Sequence, residues 1–218
     1  MFIGHFAVGF AAKRVAPRAS LGTFVAAALF LDVLWPVFLL TGIERVRIDP
    51  GNTAFSPFDF VQYPWSHSLV LAAVWSLLFA GGHYLFRRDK ATAQMLGAVV
   101  FSHWILDWVT HRPDLPLAPG LQFKTGLGLW GSVPATVAIE VTLFLVAALW
   151  YERVAEPLDA VGRWAWYALI GVLLALYAAS LGPPPHPGQE RLVAIVTIAS
   201  WIFVPWAAWV DRHRVLNR

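Results

Sequence analysis

Six ionisable side chains in this chain have the chemistry of metal ligands. They are His5 in "GHFAVGF", Asp32 in "LFLDVLWP", His67 in "SHS", and His103, Asp107 and His111 in "SHWILDWVTHRPD". The last three are spaced four and four. On a helix, residues four apart share a face, and residues eight apart share it to within about 40°. Imidazole and carboxylate together suit a divalent metal, Zn²⁺ first, with Mn²⁺ or Fe²⁺ also accommodated. There is no Cys, which excludes a thiolate site, a disulfide and a Cys nucleophile.

These groups sit in very apolar surroundings. Of 218 residues, 58% are hydrophobic and 13% charged, and the mean hydropathy is +0.61. A soluble domain carries about a quarter charged residues, so the composition points to an integral membrane protein. Its 12 Trp suit the headgroup level of a bilayer. The net charge of +3 is accounted for by cytoplasmic loops and calls for no nucleic-acid partner. The opening "MFIGHFAVGFAAKRVAP" has its charges after the apolar run and a His within it, unlike a cleaved signal peptide. It is expected to stay in the mature protein.

A membrane-crossing helix needs about 20 apolar residues. Runs of that kind lie near 21–41, 66–86, 93–111, 127–150, 162–181 and 192–210, and a shorter apolar helix near 2–15. The expected fold is therefore all-α, one polytopic domain over 1–218 with six long transmembrane helices and a short N-terminal helix. Breaks such as "RRDK", "RPDLPLAPG" and "LGPPPHPGQE" separate the runs.

Alternate connections divide the 16 Lys and Arg unevenly. Eleven fall on one side, among them Lys13, Arg14, Arg87, Arg88, Lys90, Arg153, Arg212 and Arg218. The other side receives Arg45, Arg47, Arg112, Lys124 and Arg191. The richer side is expected to be cytoplasmic, with the C-terminus on it. That orientation sends His5, Asp32, His67, His103, Asp107 and His111, from four helices, to the outer half of the membrane. A buried charge in lipid costs ~2.5–3.5 kcal/mol or more, and a metal would compensate Asp32 and Asp107.

Each residue also has a plainer reading. An intramembrane Asp can pair with a cation, although no Lys or Arg is expected at that depth. His111 at the rim is placed at the mouth of the cavity, with His103 and Asp107 as ligands deeper in. Glu140, midway along its span, either accepts from a ligand His or serves as a base. Ser66 and Ser68 flank His67 and either orient substrate or cap the helix start.

The quoted motifs, in that order, resemble the inner-membrane metal-dependent hydrolases, also described as LexA-binding inner-membrane-associated hydrolases. The resemblance covers roughly the first half of the chain. It departs at Leu31–Asp32, where the family has Pro-Asp, and at "YPWSHS", which lacks the family's His-Arg-Gly. The resemblance implies a bacterial inner-membrane protein with metal on His5, Asp32, His67, His103 and Asp107. The expected reaction is hydrolysis, with Asp107 or Asp32 bridging metals or accepting a water's proton. At that depth the substrate is expected to be a lipid or a lipid-linked ester or amide. Membrane-embedded ceramidases offer a second enzyme analogy. Rival readings from other classes are a divalent-metal or proton transporter and a structural subunit of a membrane complex. Oligomeric state is not legible.

Overall fold

The computed structural model describes residues 1–217; Arg218, counted above among the cations, lies outside the described residues. The chain begins with α1 (Ile3–Val15), 13 residues long, followed by α2 (Leu21–Ala28) and α3 (Phe30–Leu40). A hairpin of β1 (Arg45–Ile48) and β2 (Phe58–Gln62) leads to the single turn α4 (Pro64–His67) and to α5 (Leu69–Arg87). Next comes α6 (Lys90–Thr110), then the short pair β3 (Leu115–Pro116) and β4 (Lys124–Thr125). The remainder is α7 (Val133–Val154), β5 (Ala155–Pro157), α8 (Ala160–Ser180), α9 (Glu190–Ala199), α10 (Phe203–Arg212) and β6 (Arg214–Leu216). The chain is thus mostly helical, but not purely so: among the described residues three two-stranded antiparallel ribbons lie in the connections and pair their own backbone groups.

Among the described residues, four stretches are long and apolar enough to cross a membrane: Leu69–Arg87, Val133–Val154, Ala160–Ser180 and Glu190–Arg212. The pair α2 and α3, bent by 49°, would make a fifth. Helix α6 has the length, 21 residues, but Gln94, Ser102, His103 and Asp107 lower its hydropathy and keep it out of that set. The run expected from 66 is interrupted at Ser68, whose extended backbone separates α4 from α5. The outward surfaces carry large apolar side chains, among them Leu77, Phe86, Val146, Trp164 and Ile202.

Helix α1 is enclosed by α7, α2 and α6. Gly9 permits this, since a Cβ there would lie 3.2 Å from the Phe24 carbonyl of α2. One core groups Phe6, Phe10, Phe144 and Trp166 between α1, α7 and α8; a second groups Phe24, Leu31, Leu96 and Val100 between α2, α3 and α6. Lipid is as apolar as these side chains, so close packing is what holds such helices together. The Phe10 and Trp166 rings meet edge-on at 5.0 Å between centroids. At the far end of α1, Lys13 donates to Asp211 at 2.8 Å and to the Ala19 carbonyl at 2.8 Å, so its buried charge is fully engaged.

Candidate metal centre

Four segments bring their polar residues together. His5 lies in the first turn of α1, Asp32 in the first turn of α3, His67 at the end of α4, and His103 and Asp107 one turn apart on α6. The break between α2 and α3 is part of the construction. It presents the Ala28 carbonyl at 2.8 Å from His103 Nδ1. A carbonyl can only accept, so Nδ1 carries the hydrogen. The other ring nitrogen, Nε2, is turned on the carboxylates.

His103 Nε2 lies 3.2 Å from Asp107 Oδ2 and 3.5 Å from Asp32 Oδ1. His67 Nε2 lies 3.7 Å from each of the same two oxygens. On the other side of Asp107, His5 Nε2 is 3.2 Å from Oδ1. His5 and His103 stack, with centroids 3.6 Å apart and planes 3° apart. Asp107 therefore addresses His5 with one oxygen and His67 and His103 with the other. All these residues are buried except Asp32, whose side chain is 33% exposed and marks the open side of the cluster. The amino nitrogen of Met1 lies 2.7 Å from Asp107 Oδ1.

Buried His and Asp side chains here could hold a metal ion in two overlapping groups, His5 with His103 and Asp107, and Asp32 with His67 and His103. The donor atoms fit that use. His103 Nε2 is buried and close to two carboxylates, yet it makes no hydrogen bond. Four donors bonded to one ion at ~2.0–2.2 Å sit about 3.3–3.6 Å apart if tetrahedral. The four imidazole–carboxylate separations that link His67 and His103 to Asp32 and Asp107, 3.2–3.7 Å, bracket that range. A single nitrogen cannot serve two ions, so His103, shared by both groups, would belong to one ion at a time.

The remaining expected residues are used differently. Helix α6 stops at Thr110, and His111 takes an extended backbone, so the 103–107–111 stripe is broken before its last member. Its ring lies 2.9 Å from Asp114 Oδ1 and 3.3 Å from the Tyr63 hydroxyl, away from the cluster. Pro113 is the readable signal, because the residue before a proline resists the helical conformation. Arg112 then joins Asp114 and Asp59, tying the end of α6 to the β1–β2 hairpin. Glu140 on α7 binds no histidine. Its Oε2 accepts from the backbone of Phe2 at 2.9 Å and Gly4 at 3.4 Å, so it caps the start of α1 and positions His5. Ser68 accepts from Leu71 N and caps α5.

One buried acid had no signal in the sequence. Glu44, in the turn after α3, is 1% exposed and accepts from the backbone of Trp65 and Ser66, each at 2.8 Å. No helical spacing or motif marks it, since its partners lie more than twenty residues away.

No protein-family profile, curated protein or solved structure matches this chain.

Proposed function

We propose that this chain is a membrane-embedded, metal-dependent hydrolase of the inner-membrane metal-dependent hydrolase type, acting on a lipid or lipid-linked ester or amide. One observation carries the reading. Nε2 of His67 and Nε2 of His103 each lie 3.2–3.7 Å from a carboxylate oxygen of Asp32 and of Asp107, and the buried His103 Nε2 has no hydrogen-bond partner. Those four residues and His5, which lies 3.2 Å from Asp107 Oδ1, would hold one or two ions. A bound divalent cation, Zn²⁺ foremost, lowers the pKa of a coordinated water and polarises a scissile carbonyl. The protein's own contribution is orientation and access. Ala28 fixes the His103 ring, Glu140 fixes the start of α1, and the exposed edge of Asp32 is where substrate meets the site and where a proton is accepted.

The reading extends to the membrane. Helix α6 crosses as a sixth span because its polar residues face the cluster, and α1 is the short helix that delivers His5. The Lys and Arg asymmetry supports a C-terminus in the cytoplasm and a centre toward the outer leaflet of a bacterial inner membrane, within reach of headgroups. A transporter reading is less well supported. Glu140 is engaged by the backbone at the start of α1 instead of leading onward as a relay.

The test is purification followed by metal analysis and assay against lipid ester and amide substrates. Bound metal with metal-dependent hydrolysis supports the proposal. Protein that takes up no metal, or that moves metal across proteoliposomes without hydrolysing anything, overturns it.

A further inference from the structure

The geometry of Ser66 and Glu44 joins them to His67. Glu44 uses both carboxylate oxygens: Oε1 takes the two backbone N–H groups of Trp65 and Ser66, and Oε2 accepts the Ser66 hydroxyl at 2.6 Å. The Ser66 Oγ also lies 2.7 Å from His67 Nδ1. All three side chains are buried. A hydroxyl has one proton to give. Once that proton is directed at the Glu44 carboxylate, Ser66 can only accept from His67. The hydrogen of the imidazole is then held on Nδ1, and the Nε2 lone pair faces Asp32 and Asp107.

We infer that Glu44, acting through Ser66, is a positioning residue that sets the proton on His67 Nδ1 and thereby makes Nε2 available as a metal ligand. The inference rests on the metal-centre reading above. It adds a polar connection that runs from the turn after α3 to the ligand on α4, parallel to the Ala28 carbonyl that does the same for His103. Partners of this kind around a ligand histidine change metal affinity by about 10–100-fold when removed.

The connection has a direction, which gives it a distinctive test. In Glu44→Gln the shape is kept, and the amide oxygen still accepts from the two backbone N–H groups. Its NH₂ then faces Ser66 and donates to it. Ser66 must turn its proton toward His67 Nδ1, which strips that nitrogen of its hydrogen and shifts it to Nε2. In Ser66→Ala nothing opposes a hydrogen on Nδ1. Glu44→Gln should therefore weaken Zn²⁺ binding by about 10–100-fold, Ser66→Ala by less, and the double variant should recover part of the loss caused by Glu44→Gln. A merely structural role predicts losses that accumulate.

Zinc affinity of the full-length protein in detergent, by chelator competition, reads this order. The ¹⁵N spectrum of histidine-labelled, metal-free protein, with His67 assigned by its disappearance in His67→Gln, reads the proton on Nδ1. Wild-type protein should carry it and Glu44→Gln should not. Retention of that proton in Glu44→Gln overturns the inference, as does a double variant weaker than Glu44→Gln alone. Wild-type protein that binds no Zn²⁺ overturns the metal centre instead, and the nitrogen spectrum still decides the role of Glu44.

Discussion

Asp107 lies across the edges of two stacked imidazoles: its Oδ1 lies 3.2 Å from His5 Nε2, and its Oδ2 lies 3.2 Å from His103 Nε2, with the ring centroids 3.6 Å apart. One carboxylate on α6 thus joins two helices that are about a hundred residues apart in sequence. Every His–Asp pair at the centre except those of Asp32 involves this side chain, which makes it the first residue to alter.

Asp107→Asn preserves volume but replaces one ligand oxygen by an NH₂ donor and removes the charge. It should abolish tightly held metal. Asp32→Asn alters a side chain at the open edge and should leave weaker, partial occupancy. Metal content of the two purified variants checks the order, and equal occupancy would remove Asp107 from its central place.

Glu140→Ala should destabilise the protein without touching a ligand atom. It leaves the backbone N–H groups of Phe2 and Gly4 buried without an acceptor, at about 1–3 kcal/mol for a lost partner. Glu140→Gln keeps an acceptor and should be milder. Thermal unfolding in detergent ranks them, and a Glu140→Ala protein as stable as wild type would deny the capping role.

His111→Gln should leave metal bound, because the ring is engaged by Asp114 and Tyr63. Its partner gives the loop a pH dependence. Burial raises the Asp114 carboxyl, but the bonds from His111 and Arg112 outweigh it and hold the pKa below the usual carboxylate value. A depressed folded pKa means stability that is present above the unfolded value of ~3.9 and lost as pH falls through the folded one. Acid should therefore loosen the segment after α6, and Asp114→Asn should lose that response. Hydrogen exchange of residues 111–116 across pH 5 to 2 follows it.

The native chain has no Cys, so single cysteines can report its orientation. Cysteines at Asn52 and Gly188 should label from outside intact cells, and one at Asp89 should not. The reverse pattern would invert the proposed topology and move the centre to the other leaflet.

The sequence by itself determined what depends on local periodicity. Apolar runs gave helices because a backbone in lipid must pair its own polar groups, and four residues of separation put His103 and Asp107 on one face of α6. Proline explains the end of that helix at Thr110, which was legible in "HRPD" but outweighed by the regular spacing of the stripe. The bend at Leu29 and the break at Ser68 were not legible, because long apolar runs look alike whether straight or interrupted. Only the tertiary structure decided which acids serve the site. Glu140 became the cap of α1, 138 residues away from Phe2, and Glu44 became the partner of Ser66. Asp107 acquired two faces only when α1 packed against α6. Helical spacing fixes which residues share a surface, whereas the pairing of one surface with another depends on how helices of similar composition fit together. No local pattern of apolar and polar residues carries that information.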